Sequence, residues 1–100
     1  MLPWHNEIRF ASSAKRHLKA FRVRERAVIV ATVETQLSHE PLVETRNRKR
    51  LRPNPIAPWE LRVRTMRVFY EVDQPGVVTV LAIGAKRGNR LYIEGEEIEL

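Results

Sequence analysis

Residues 59–87, WELRVRTMRVFYEVDQPGVVTVLAIGAKR, carry arginines whose spacing lets one face of a sheet collect positive charge. Side chains two apart in a strand share a face. Trp59, Leu61 and Val63 therefore point one way, and Glu60, Arg62 and Arg64 the other; in the next strand Met66, Val68, Tyr70 and Val72 oppose Arg67, Phe69 and Glu71. A two-residue turn at Arg64-Thr65 pairs Val63 with Met66, Arg62 with Arg67 and Leu61 with Val68. A four-residue turn at Asp73-Gln74-Pro75-Gly76, which has strong turn chemistry, pairs Val68 with Leu81 and Arg67 with Ala82. One face becomes an apolar row of Leu61, Val68 and Leu81. The other sets two arginines opposite each other beside a small alanine. Like charges facing across a ladder repel, so such a floor wants an anion, and guanidinium forks fit phosphate. Arg87, just past the end of the third strand, can reach the same place. The competing reading of that row is a solvated face, or arginines paired with Glu60 and Glu71.

The rest of the chain must position this meander. Residues 4–10, WHNEIRF, place Trp4, Ile8 and Phe10 on one face of a short strand. Ser12 and Ser13 can cap a helix, and Ala14, Leu18 and Phe21 follow at helical spacing. After a break at residues 22–24 a second helix runs to Ser38, with Ala27, Val30, Val33 and Leu37 as its apolar stripe, and Pro41 ends it. Residues 44–58, ETRNRKRLRPNPIAP, hold three prolines and five basic residues and read as an exposed, irregular loop. The third meander strand, Val77 to Ile83, is nearly continuous apolar, as expected of a strand buried on both faces. The acidic tail RLYIEGEEIEL can form a hairpin at Glu94-Gly95 that adds an edge strand, or cross the basic sheet and shield it. The fold class is α+β: two N-terminal helices on a small twisted, mainly antiparallel sheet, in one domain spanning 1–100.

Composition narrows the partners. The chain has 100 residues, 43% of them hydrophobic, and a net charge of +6, which points to a polyanion, an acidic protein or an anionic membrane. The charge is uneven: Arg46, Arg48, Lys49, Arg50, Arg52, Arg62, Arg64 and Arg67 stand against Glu60 alone in residues 46–67. There is no cysteine, so disulfide and thiol chemistry are excluded. No apolar run is long enough to span a bilayer and the N-terminus lacks a signal peptide's pattern, so the chain reads as a soluble cytoplasmic protein. His5, His17 and His39 show no metal-ligand spacing and read as ordinary surface residues; no metal or cofactor is expected.

The stretches LRPNPIAPWELRVRTMRVFYEV and VVTVLAIGAKRGNRLYI, in that order after two helices, resemble the RelE/ParE superfamily of bacterial toxin–antitoxin modules. The matching pieces are Leu51-Arg52, Trp59 to Val63, Met66 to Tyr70, and Gly84 to Arg87. RelE-type members cut messenger RNA in the ribosomal A site by attack of a ribose 2′-OH on the adjacent phosphate, without a metal. That chemistry needs a base, an acid and positive charge on the phosphorane. The resemblance implies Arg52, Arg62, Arg67 and Arg87 as the basic cluster and Tyr92 as the family tyrosine. The phosphates of the RNA would then fall to Lys49, Arg50, Arg52, Arg62, Arg67, Lys86 and Arg87, and the catalytic set to Arg62, Arg67, Arg87, Tyr92 and Glu60. Glu60 stands where the prototype has lysine. Arginine stays protonated and is a poor base, so the proton acceptor is Glu60, Lys49 or no residue at all. A cognate antitoxin is the implied partner, laying acidic side chains over the arginines. Two other functions remain open: a ParE-like inhibitor of DNA gyrase without nuclease activity, and a degenerate member that binds antitoxin or RNA without cutting.

Overall fold

The computed structural model describes residues 6–74 and 76–100. Trp4 and His5, and Pro75 of the second meander turn, lie outside the described residues. The elements are β1 (Glu7–Phe10), α1 (Ser12–Lys19), α2 (Val23–Leu37), β2 (Arg48–Arg50), β3 (Trp59–Val63), β4 (Met66–Gln74), β5 (Val77–Arg87), β6 (Arg90–Ile93) and β7 (Glu96–Ile98). The strands form one sheet in the order β2-β3-β4-β5-β6-β7, with β1 added in parallel to β5. The α+β architecture expected from the sequence is the one observed. Among the described residues no helix is long and apolar enough to cross a membrane.

The long strand β5 is the spine. On one side it pairs with β4 over most of its length. On the other, β1 takes its first half, from Glu7 opposite Val77 to Phe10 opposite Val80, and β6 takes its last residues, from Ala85 opposite Tyr92 to Arg87 opposite Arg90. The stretch between them is closed by side chains of α1. Ser13 Oγ donates to the Leu81 carbonyl at 2.7 Å, and the Ile83 N–H donates to His17 Nδ1 at 3.1 Å. Ser13 is thus a fastener rather than the expected cap; the N-cap position is Ala11, with no side-chain hydrogen bond.

Both helices cover one face of the sheet. The main core there joins Ala14, Ile29, Val33 and Leu37 to Trp59, Leu61, Val63, Met66, Val68, Tyr70, Val78, Val80 and Ile83. The buried stripe of α2 is Ile29, Val33 and Leu37, and Ala27 is exposed. The buried stripe differs from the expected one because the middle of α2, from Ala27 to Val33, is apolar but for Thr32, so periodicity alone does not orient it. The loop after α2 is more ordered than its composition implies. Arg48 is buried, and its guanidinium donates to the carbonyls of Gln36 (2.6 Å) and Val43 (3.1 Å), tying β2 to the end of α2. Tyr70 OH donates to the Pro41 carbonyl at 2.6 Å, and burial pushes that hydroxyl's pKa up.

The first meander turn has the expected register: Leu61, Arg62 and Val63 face Val68, Arg67 and Met66. The second does not. Val68 faces Ile83, Arg67 faces Gly84, and Ala82 faces Phe69. The strands run on to Gln74 and resume at Val77, so the turn is tighter than four residues, which moves the register by two, and two irregularities, at Val72/Gln74 and Phe69/Tyr70, shift it in opposite senses and cancel. A bulge of this kind inserts one unpaired residue, here Asp73 on β4 and Leu81 on β5. It leaves no trace in a simple count of positions.

Candidate functional site

The face away from the helices has two parts. A smaller apolar cluster of Ala57, Phe69, Ala82, Leu91 and Ile93 is covered by Leu51 and Ile56 from the proline-rich loop and by Ile98 and Leu100 from the tail. Beside it lies the charged floor. Strand alternation and pairing place Lys49 opposite Glu60, and Arg62 opposite Arg67, with Gly84 next across the ladder and Lys86 two residues beyond Gly84 on β5.

The changed register makes Gly84, not the expected Ala82, the third member of the row, and no larger residue fits there. A Cβ there would lie 2.6 Å from the Tyr92 carbonyl oxygen, 2.9 Å from Ile93 Cγ1 and 3.2 Å from Leu91 Cδ1. Only glycine lets β6 close against β5, and the Ile93 and Leu91 side chains fill the space beside it.

Arg67 is held from behind. Its Nη1 donates to the carbonyls of Arg64 and Met66, both at 2.9 Å. Arg64 occupies the left-handed region at φ +60, uncommon for a non-glycine residue. The Arg64-Thr65 turn is therefore supported by the arginine it presents, and by the Lys86 N–H donating to the Thr65 carbonyl at 2.7 Å. Arg67 Nε is buried without a partner. Burial lowers the Arg67 pKa, Glu60 opposes the shift and Arg62 adds to it; the group stays cationic at neutral pH.

Glu60 is the acid of the floor. It is 7% exposed, and its Oε2 lies 3.8 Å from Arg62 Nε, a loose contact whose arginine is half exposed. Glu60 and Lys86 both line a cavity of about 370 Å³. Glu60 lies beside Arg62, with Arg67 diagonally across the ladder; a carboxylate so placed can take a proton while the two arginines hold a phosphoryl group.

Other candidates stand elsewhere. By alternation Arg87, Ala85 and Tyr92 fall on the helix side of the sheet; the Arg87 guanidinium lies over the Tyr92 ring at 5.6 Å. Arg50 pairs with Trp59 and lies over its indole at 5.9 Å, on the same side as the main core. Arg52 is exposed in the loop, whose shape is set by Asn54: its Oδ1 accepts from the N–H of Ile56 (2.8 Å) and Ala57 (3.1 Å). The floor thus gathers Lys49, Glu60, Arg62, Arg67 and Lys86, and does not gather Arg50, Arg52, Arg87 or Tyr92.

His17, expected at the surface, is buried, at 6% exposed. Its Nε2 faces Glu94 Oε1 at 3.5 Å, and Arg16 holds the same carboxylate through Nε at 2.9 Å. Its position three residues after Ala14 and four before Phe21, on the apolar stripe of α1, was the signal for burial. His39 is exposed. Among the described residues, no group of three or more His, Asp or Glu side chains converges to hold a metal ion. The tail takes the hairpin form, with Ile93 facing Glu96 across Glu94-Gly95, and β7 becomes the edge strand.

No protein-family model matches this sequence, and no curated protein matches it either. A solved structure does. The chain is similar to one in the crystal structure of the toxin–antitoxin complex RelBE2 from Mycobacterium tuberculosis, with a TM-score of 0.70 and 29% identity, over 82% of this chain and 99% of that one.

Proposed function

We propose that this chain, a RelE-like toxin of a type II toxin–antitoxin system within the RelE/ParE superfamily, cuts messenger RNA on the ribosome, with the floor between β3, β4 and the end of β5 as its active site. The observation that supports it most is Arg67: a guanidinium anchored by two turn carbonyls, with one buried N–H left over, facing a second arginine above a glycine. Electrostatics alone disfavour that arrangement. An anion seated between Arg62 and Arg67 reverses the sign, and a phosphodiester is an anion that matches two forks.

Glu60 accepts the proton of the ribose 2′-OH. The freed oxygen attacks phosphorus, and the bond to the 5′-oxygen of the next nucleotide breaks. Lys86 protonates that oxygen, leaving a 2′,3′-cyclic phosphate and a 5′-hydroxyl. Arg62 and Arg67 hold the charge that builds on the phosphorane, the role in which preorganised donors lower a barrier most. Lys49 and Arg52 line the approach for flanking phosphates. An antitoxin, the partner in the RelBE2 complex, would neutralise this chain by setting carboxylates over the same cations.

The test is induced expression with mapping of message 5′ ends on ribosomes. Cuts positioned by codon, lost in an Arg62→Ala, Arg67→Ala double variant and in Glu60→Gln, support the endonuclease. Growth arrest with intact messages and trapped gyrase–DNA complexes would replace it with gyrase inhibition.

A further inference from the structure

Arg87 and Tyr92, left on the helix side, wall a second cavity of about 470 Å³ with His17, Phe21, Ile83 and Glu94. Its volume and its mixture of apolar walls with a few convergent polar groups are those of a small-ligand site. Phe21 and the Arg87–Tyr92 stack supply flat surfaces. His17 Nδ1 accepts the Ile83 N–H, so the neutral ring carries its proton on Nε2, beside Glu94. Glu94 itself sits at φ +52, with Gly95 following at φ +79. Tight hairpin turns of this kind favour Asn, Asp or Gly at the first position. A glutamate there carries backbone strain that its side chain must offset.

We propose that this cavity is a guanine-binding subsite for the RNA, with Glu94 as the residue that selects the base; it rests on the endonuclease reading above. The end of β5 links the two sites. Lys86 turns to the floor and its neighbour Arg87 to the cavity, so one strand of RNA, passing round the β5–β6 turn, can lay its phosphate on one face of the sheet and its unstacked base on the other. Single-stranded RNA is read in this way, by stacking on aromatic or guanidinium planes and by hydrogen bonds to the Watson–Crick edge. Guanine alone offers two adjacent donors, N1–H and N2–H, to the two oxygens of a carboxylate. Adenine and cytosine set a ring acceptor beside their amino group, and uracil flanks one N–H with two carbonyls. Arg16 now presents the same fork to Glu94, through Nε at 2.9 Å and Nη2 at 3.4 Å. It is an exposed partner, and such pairs are weak enough for a stacked base to displace.

The experiment is an NMR titration of the isotope-labelled full chain with the four nucleoside 5′-monophosphates and with inosine 5′-monophosphate, which lacks the 2-amino group. Guanosine monophosphate should shift the His17 ring and Ile83 amide signals and bind about tenfold or more tightly than the others, inosine included, as one bidentate pair allows. Glu94→Gln should erase the preference, and Arg16→Ala should keep or sharpen it. Equal binding of all five nucleotides, or shifts confined to Arg62 and Arg67, overturns the subsite. The wild-type comparison of guanosine with inosine monophosphate needs no variant to fold. Binding is read without cleavage, so guanine selectivity in a protein that cuts no message would remove the endonuclease and keep the subsite.

Discussion

Replacing His17 tests whether α1 is sewn to β5 through a neutral imidazole. In His17→Leu the Ile83 N–H, in a residue 1% exposed, loses its acceptor. Stranding a buried donor costs about 1–3 kcal/mol, or a drop in Tm of about 5–20 °C for a domain of this length. His17→Asn keeps an acceptor near the place of Nδ1 and should cost less than the leucine. The pH dependence has a definite sign. Burial lowers the His17 pKa below 6.5, against a smaller upward pull from Glu94 and with a further downward push from Arg16. The folded state then binds fewer protons than the unfolded chain, so stability rises with pH in this range. The contribution is fully present above about pH 6.5 and declines as pH falls, because a proton on Nδ1 would face the Ile83 N–H. Glu94, held below its usual value first by Arg16, titrates at lower pH and is separable. Urea unfolding followed by tryptophan fluorescence at pH 7.5 and 5.5 reads the effect. The wild type should lose more stability over that interval than either variant. Parallel pH slopes in all three proteins, or a leucine variant as stable as the wild type, would refute the account of the Ile83–His17 bond.

Gly84→Ala must push the Tyr92 carbonyl, and β6 with it, away from β5; overpacking of this kind costs about 1–3 kcal/mol, to be measured by thermal unfolding, with message cleavage falling in step as Lys86 moves. Arg62→Ala should lower the slope of log affinity against log salt by about 0.7, one single-strand phosphate contact, in RNA binding titrations. Glu60→Gln should bind RNA as well as the parent while cutting it about 10²–10⁴-fold more slowly, the range for loss of a general base, in single-turnover assays on programmed ribosomes. Arg48→Leu should destabilise by about 1.5–3 kcal/mol, since it removes charged hydrogen bonds to two carbonyls near the end of α2, as judged by urea midpoints.

Much of this fold was legible because its signals are local. Alternation in residues 59–72 fixed which side chains face the core, and the Arg62–Arg67 pair followed from a turn too short to have another register. The failures have nonlocal causes. The turn after β4 is two residues tighter than its turn chemistry implies, and that places Gly84 rather than Ala82 beside Arg67, while the unpaired Asp73 on β4 and Leu81 on β5 cancel each other's shift. Arg87 and Lys86 look equivalent in a basic run, yet one residue of strand phase sends them to opposite faces. Arg48 belongs by composition to an exposed loop, but the carbonyls of Gln36 and Val43 bury it. His17 was legible in hindsight from its place on an apolar helical stripe, while its partners, Ile83 and Glu94, lie 66 residues and more along the chain.

The stitching of α1 into the gap between β1 and β6 also bears on how the chain reaches this structure. Ser13 and Leu81 are 68 residues apart, and His17 and Ile83 are 66 apart; β1 pairs with β5 over a similar separation. Contacts of that range make the closure entropy fall due before their enthalpy is returned, which slows folding. The N-terminal quarter can be helical early, yet it has nothing to dock on until β5 is in place. Assembly should therefore be late and concerted, with conservative substitutions at Ser13 and Ile83 speeding unfolding far more than they slow refolding.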